Sequence, residues 1–346
     1  MSREIELSKC KDERIREVDR YYQTVLLTIG LKDHLDNHAK ECRFVSAEPR
    51  FFAREGHEIR PDVVIQYTSG YGALCEIKTS LPMPDGYLLN SLSQIEKYSI
   101  DVTGWDTPDH RVKDHDILLF CHALDFDRVV QRIQQWLEDG SIKISKKLCI
   151  CEWSTITSPK TGKDVVLIRK RFGDTSCDEL NRMLQENIVV DIQKVVIDYE
   201  KCKFTRKEPP LEYTMQELWV NVFREMTTKT ESFEVSIDEI LKVAIDYYIP
   251  WSNIEGEYSQ VRRTWIRKAV EGFCAIGLAE QSESNPQRFR ILHQKQIQKD
   301  ILDYMIEALC NLTIKQTPKR PMVDQEATTP QKPLSDFTRE NRADVS

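Results

Sequence analysis

The chain contains no apolar run of about eighteen residues, so nothing in it reads as a membrane span. Its start, Met1-Ser2-Arg3-Glu4-Ile5-Glu6, is polar and charged, which argues against a secretory signal. It has no Gly-x-x-x-x-Gly-Lys-Ser/Thr phosphate loop, so ATP dependence would require a partner. No two of its 10 cysteines form a Cys-x-x-Cys pair. Cys75, Cys121, Cys149 and Cys274 sit inside apolar runs and read as small buried hydrophobes. Cys149 and Cys151 share a strand face, but no second pair completes a metal site. Such thiols suit a reducing interior, and the expectation is a cytoplasmic protein without a membrane partner. Positive charge is also not in excess. With 49 basic and 56 acidic residues the net charge is -7, so any nucleic-acid contact must come from local patches.

What is present suffices for two compact domains: 346 residues, of which 40% are apolar. Apolar residues at Ile15, Val18, Tyr22, Val25 and Ile29 predict a helix over 13–38. Strand-like runs follow at Val63-Val64-Ile65 and Tyr71–Lys78, with Gly70 and Gly72 as turn residues. The run Asp116–His122 is almost wholly apolar and reads as a buried central strand. Phe126, Val129, Val130, Ile133 and Leu137 recur at helical spacing and stop at Gly140. Two further strands are expected at Lys147–Ser154 and Val165–Arg171, then one helix over 178–200.

The chemistry concentrates at Pro61-Asp62 and Glu76-Ile77-Lys78. Glu76 and Lys78 are two apart in a strand, so they share a face while Ile77 points the other way. A hairpin brings Asp62 to the same edge, and two carboxylates and an ammonium converge. That set suits a hard divalent cation beside an attacked phosphate. Downstream, Gln94 and Tyr98 are four apart and share a helix face. Glu17, Asp33, Asp36, His57 and Glu58 are open as an upstream acidic or imidazole ligand. If the Asp62 strand begins near His57, Glu58 has the parity to join Asp62 and His57 does not. His34 and His38, four apart, could bind a transition metal but have no third ligand nearby.

This order of motifs over about 13–170 resembles the PD-(D/E)XK nuclease superfamily, in its RecB-like branch. The resemblance implies a restriction-endonuclease-like α/β sandwich with a mixed central sheet. It implies Mg²⁺, with Mn²⁺ as a substitute, held by Asp62, Glu76 and the carbonyl of Ile77. Lys78 would be the catalytic cation, and Gln94 and Tyr98 would hold the substrate or orient the lysine. The chain departs from the pattern in lacking a distinct ligand upstream of Asp62.

Pro209-Pro210 suggests a linker, dividing a nuclease-like domain, 1–205, from a second domain, 206–312, and a disordered tail, 313–346. Thr214 with Glu217, and Ser236 with Glu239, have the spacing of capping boxes. A third helix, about Tyr258 to Phe273, precedes two short extended pieces around a polar loop. Three helices and a hairpin resemble a winged helix, an α+β domain. Arg262, Arg263, Arg267 and Lys268 on the third helix are the candidate DNA contacts.

The expectation is therefore a Mg²⁺-dependent deoxyribonuclease, an endonuclease acting on duplex DNA in genome defence or repair. A homodimer or a multiprotein complex is compatible with it. Two alternatives stand beside it: a DNA-binding regulator or assembly subunit whose nuclease-like fold does not cleave, and an RNA-processing nuclease. Lys78, ending a strand near solvent, is expected to be removable at little cost in stability.

Overall fold

The structure, a computed structural model, describes residues 3–47, 51–53, 58–81, 85–103, 112–159, 161–205, 207–226, 232–247, 261–283, 285–292 and 300–316. Helix α1 (Arg3–His38) is followed by β1 (Cys42–Ala47), β2 (Phe51–Ala53), β3 (Glu58–Ile59), β4 (Val63–Tyr67) and β5 (Tyr71–Lys78). Then come α2 (Asp85–Tyr98), β6 (Val102–Thr103), β7 (Asp114–His122), α3 (Phe126–Asp139), β8 (Leu148–Thr157) and β9 (Asp164–Phe172). A seven-stranded mixed sheet in the order β1-β4-β5-β7-β8-β9 is completed by β10 (Ile188–Asp191). A separate small sheet has the order β3-β2-β6.

The register explains the layers. β4 and β5 form an antiparallel hairpin, turned by Gly70 at φ 85°; Gly72 lies inside β5, opposite Gln66. β5, β7 and β8 are parallel. Their crossovers, α2 and α3, lie on one face, as successive right-handed connections in one direction require. Val64, Leu74, Leu119 and Ile150 pack there against Leu88, Ile95, Val129 and Ile133. Residues of opposite parity, among them Val63, Cys75, Ile77, Phe120 and Cys151, join a second cluster with α1 on the other face.

Helix α1 starts ten residues earlier than the apolar stripe predicts, and its buried positions include Val18, Tyr21, Val25 and Ile29, while Ile15 is half-buried and Tyr22 is exposed. Its first half leaves the sheet and packs on the C-terminal helices. The expected single helix over 178–200 is instead α4 (Asp178–Gln185), strand β10 and α5 (Ile192–Asp198). Asn187 adopts φ 67°, the left-handed conformation that ends a helix, and Ile188-Val189-Val190 then suits a strand. Cys149 and Cys151 do share a buried face, with sulfurs 3.9 Å apart. Cys274 is half-buried, not a core residue.

The C-terminal part contains α6 (Leu211–Glu217), a π-helical turn (Leu218–Val222), α7 (Phe223–Met226), β11 (Phe233–Ser236) and α8 (Ile237–Ala244). It continues with α9 (Arg263–Ala275), β12 (Ala279–Gln281), β13 (Arg288–Ile291) and α10 (Ile301–Gln316). The strands form an antiparallel sheet in the order β11-β13-β12. Ser236 and Glu239 make the expected reciprocal capping box. Thr214 and Glu217 do not, because α6 already begins at Leu211 and the Thr214 hydroxyl donates to the Pro210 carbonyl.

The double proline therefore starts a helix, and the segment before it is packed: Phe204 and Thr205 are buried, and Thr205 N–H donates to the Tyr21 hydroxyl at 2.9 Å. One apolar cluster runs from the sheet through α1 into α6 and α9. Residues 313–316, expected in a disordered tail, belong to α10; 317–346 lie outside the described residues. Among the described residues no helix is long and apolar enough to cross a membrane.

The unforeseen contact of α1 with β10 is testable. A Cβ on Gly30 would stand 2.7 Å from Val190 Cγ1, a stiff β-branched side chain. Gly30→Ala is expected to lower stability by about 1–3 kcal/mol by overpacking. Urea unfolding measures this, and adding Val190→Ala should return part of the stability.

Candidate active site

Asp62, Glu76 and Lys78 meet at the carboxyl ends of the parallel strands, the edge where α/β sheets usually hold ligands. The local cause lies in the β4–β5 register. The ladder ends at the pair Val63 and Cys75. Two residues on, the residue opposite Ile77 would be Pro61, which has no N–H to give to the Ile77 carbonyl. The Ile77 N–H donates to Asp62 Oδ2 at 2.7 Å. In an antiparallel ladder a residue's N–H and C=O face the same neighbour, so the Ile77 carbonyl is directed to the side of Asp62. Proline thus ends the pairing and leaves a carboxylate and a carbonyl side by side at the sheet edge.

Glu76 is 3% exposed, on the α2 face. Its two oxygens have different partners. Lys78 Nζ donates to Oε1 at 2.6 Å, and the Tyr98 hydroxyl donates to Oε2 at 2.6 Å. Gln94 Nε2 donates to the Tyr98 hydroxyl at 2.7 Å and to the Arg60 carbonyl at 3.2 Å. The spacing that put Gln94 and Tyr98 on one helix face therefore also puts them against Glu76 and the chain leading into Asp62. The strand end is pinned as well: Leu81 N–H donates to Asp125 at 3.1 Å, and Arg128 bridges Asp125 and the Leu81 carbonyl.

The electrostatics follow from this crowding. Burial alone pulls the Lys78 ammonium down, but the charge and hydrogen bond of Glu76, with Asp62 behind it, outweigh that and hold it above the usual lysine value. Burial pushes the Tyr98 hydroxyl far up, and Glu76 and Asp62 push it further, so it stays a neutral donor. Lys78 is not the solvent-facing residue expected. Its side chain is 18% exposed and compensates a buried carboxylate. Losing it would leave that charge unpaired, which is costly.

The upstream candidates fare differently. Helix α1 belongs to the Ile77 face, opposite to the one that carries Glu76 and Lys78. Glu17 is exposed on it. Asp33 accepts from Asn37 and Tyr199, and Asp36 pairs with Lys32 at 2.7 Å. Asp36 stands near Cys42, which pairs with Tyr67 at the far end of β4 from Asp62, about 15 Å along the strand. His34 and His38 stack on each other at 4.4 Å at that same end. His57 lies outside the described residues. Glu58 lies on β3, which pairs with β2 and is not continuous with β4, so the parity argument for it does not hold. Glu58 is exposed and pairs with Arg60 at 2.7 Å, two residues before Asp62. Among the described residues no three or more His, Cys, Asp or Glu side chains are grouped to hold a metal ion.

The third helix begins at Arg263, with Arg262 as its cap and not on it as expected; 258–260 lie outside the described residues. All four basic candidates are exposed, and two are ion-paired: Arg263 with Asp238 and Lys268 with Glu208. Arg262 lies 5.5 Å over the Trp265 ring. Arg267 has no acidic partner among the described residues. The acids that pair with α9 lie on α8 and just before α6, so their positions follow from the fold and are not visible in the helix sequence.

The chain matches no family model, no curated protein and no solved structure.

Tyr98→Phe removes one hydrogen bond to a buried carboxylate and keeps the ring. A destabilisation of about 2 kcal/mol is expected in denaturant unfolding, with the circular dichroism spectrum unchanged.

Proposed function

We propose that the protein is a metal-dependent nuclease that hydrolyses phosphodiester bonds of DNA. The observation that carries this is the convergence of Asp62, Glu76 and Lys78 at one sheet edge, braced by Gln94 and Tyr98. The order α1, β1, β4, β5, α2, β7, with a meander followed by a parallel crossover, is consistent with the restriction-endonuclease-like sandwich that the motifs imply. The order α6, β11, α8, α9, β12, β13 is likewise that of a winged helix.

The donor set fits Mg²⁺. Asp62, Glu76 and the Ile77 carbonyl offer oxygen only, and Mg²⁺ is commonly held by one or two carboxylates while keeping several waters. When bound, such an ion supplies charge neutralisation at the phosphate and a more acidic water. Asp62 and Glu76 would hold it, and Glu76 would turn an oxygen away from Lys78 or Tyr98 to do so. Lys78, released from part of that pairing, would face the phosphate and stabilise the negative charge that grows on it. Gln94 and Tyr98 keep the carboxylate oriented during this exchange.

Duplex contact falls to α9 in this reading. The ion pairs of Arg263 and Lys268 are exposed and so worth little, and phosphates can replace their carboxylates at small cost. A second reading, a DNA-binding regulator that does not cleave, is favoured by one observation. Both Glu76 oxygens are already committed, and no third metal-binding side chain joins the pair among the described residues.

Incubation of the pure protein with plasmid, linear duplex, single-stranded DNA and RNA, in Mg²⁺, Mn²⁺ or EDTA, separates the readings. Cleavage of DNA that EDTA stops is expected. Glu76→Ala should abolish it with partial return in excess Mn²⁺, whereas Lys78→Ala should abolish it without return. Both variants need an unfolding curve beside the assay, because each breaks a buried pair. Tight duplex binding with no cleavage under any metal would favour the regulator.

A separate measurement concerns α9. Charge reversal at Arg263 and Arg267 should weaken duplex binding and reduce the slope of log affinity against log salt by about 0.9 for each phosphate that the variant no longer neutralises. Unchanged binding across salt concentrations would remove α9 from the interface.

A further inference from the structure

The two ends of the described chain meet. The first half of α1 packs along α10, and Cys10 and Cys310 lie at their crossing with Cα atoms 5.9 Å apart, within bridging range, and their sulfurs joined. We propose that this pair is a reversible redox clasp that fastens α10 to α1, closing by thiol–disulfide exchange with a low-molecular-weight disulfide. The inference does not depend on the nuclease reading.

The surroundings suit exchange. Cys310 is fully buried, while Cys10 is half-buried and open to a small reagent. Lys11 pairs with Glu307 at 3.3 Å, Arg3 donates to Asn311 at 3.3 Å, and Arg14 holds the buried Glu212 and reaches Thr313. These contacts, with the buried Met305, Ile306 and Leu309, keep α10 in place whether or not the sulfurs are bonded. Reduction therefore loosens the junction without dismantling it.

The chemistry balances without further partners. The Cys10 thiolate attacks the small disulfide, giving a mixed disulfide and one small thiolate. The Cys310 thiolate then attacks the Cys10 sulfur and expels the second. Two protein thiols are oxidised, one small disulfide is reduced to two thiols, and the two thiol protons pass to them.

The remaining cysteines are poor competitors by position. Cys75, Cys121, Cys149, Cys151 and Cys202 are buried, and Cys274 is half-buried on α9, where burial raises its thiol and Glu271 and Glu280 add to it. Cys42 and Cys177 are half-buried near one another, and burial raises both thiols, Cys42 to about 12 with Asp36 and Glu179 adding to it. The clasp closes a loop spanning 300 residues, and a longer loop removes more freedom from the unfolded chain. Its bracing also reaches further, since α10 packs on α6 and α6 packs on α9.

The test poises the full-length protein in mixtures of oxidised and reduced glutathione, alkylates free thiols, maps disulfides by mass spectrometry and records thermal unfolding. The Cys10–Cys310 peptide should be the first cross-link to appear. Tm should rise by about 5 °C or more with it, and reduced glutathione should reverse both changes. Cys10→Ser should abolish the cross-link and the rise. Cys310→Ala serves if that variant misfolds, and the wild-type peptide map decides the pairing without either. A first cross-link between Cys42 and Cys177, a mixed disulfide that stays on Cys10, or a Tm indifferent to the glutathione ratio would overturn the proposal.

Discussion

The Glu76 carboxylate is buried at the end of a central strand, and its neighbours are arranged around that fact. A charge in this position is tolerated only with strong partners on each oxygen. Lys78 on the same strand face supplies one, and Tyr98 from the covering helix supplies the other. Helix α2 is held at the right height because Gln94 also donates to the Arg60 carbonyl. That same contact fixes the approach of the chain to Asp62. A single buried charge thus ties strand β5, helix α2 and the start of β4 into one unit.

Pro61 plays the complementary part. It ends the β4–β5 ladder at Cys75, two residues before Ile77, and so leaves the Ile77 carbonyl without a ladder partner beside the two carboxylates. A residue with an N–H in its place could extend the ladder by donating to the Ile77 carbonyl. The proposed chemistry needs this edge both rigid and incomplete: rigid through the Glu76 bonds, incomplete through the proline.

The C-terminal part is joined more closely than the double proline suggests. Helix α1 spans both parts, its second half lying against the sheet and its first half against α6 and α10. Tyr21 bonds Thr205 in the connecting segment, and Arg14 meets the buried Glu212. The helix that carries the basic residues is thus connected to the sheet through packed side chains and not by a loose tether.

Strand and helix periods by themselves located β5, β7, α3 and the hairpin that follows Asp62, because an alternating or 3.6-residue apolar pattern is a local property. They also put Glu76 with Lys78, and Gln94 with Tyr98, since each pair sits on one element. Only the tertiary structure decided what those pairs touch. Tyr98 meets Glu76 because α2 crosses back over β5, a relation between residues 22 apart that no local period encodes. It likewise decided that α1 covers the opposite face, separating Glu17, Asp33 and Asp36 from the site. β10 escaped notice because its four residues lie between two short helices, and only pairing with β9 makes them a strand. The junction of Cys10 with Cys310 is the extreme case. Nothing near either cysteine in the sequence specifies the other, and packing of the first helix on the last brings them together.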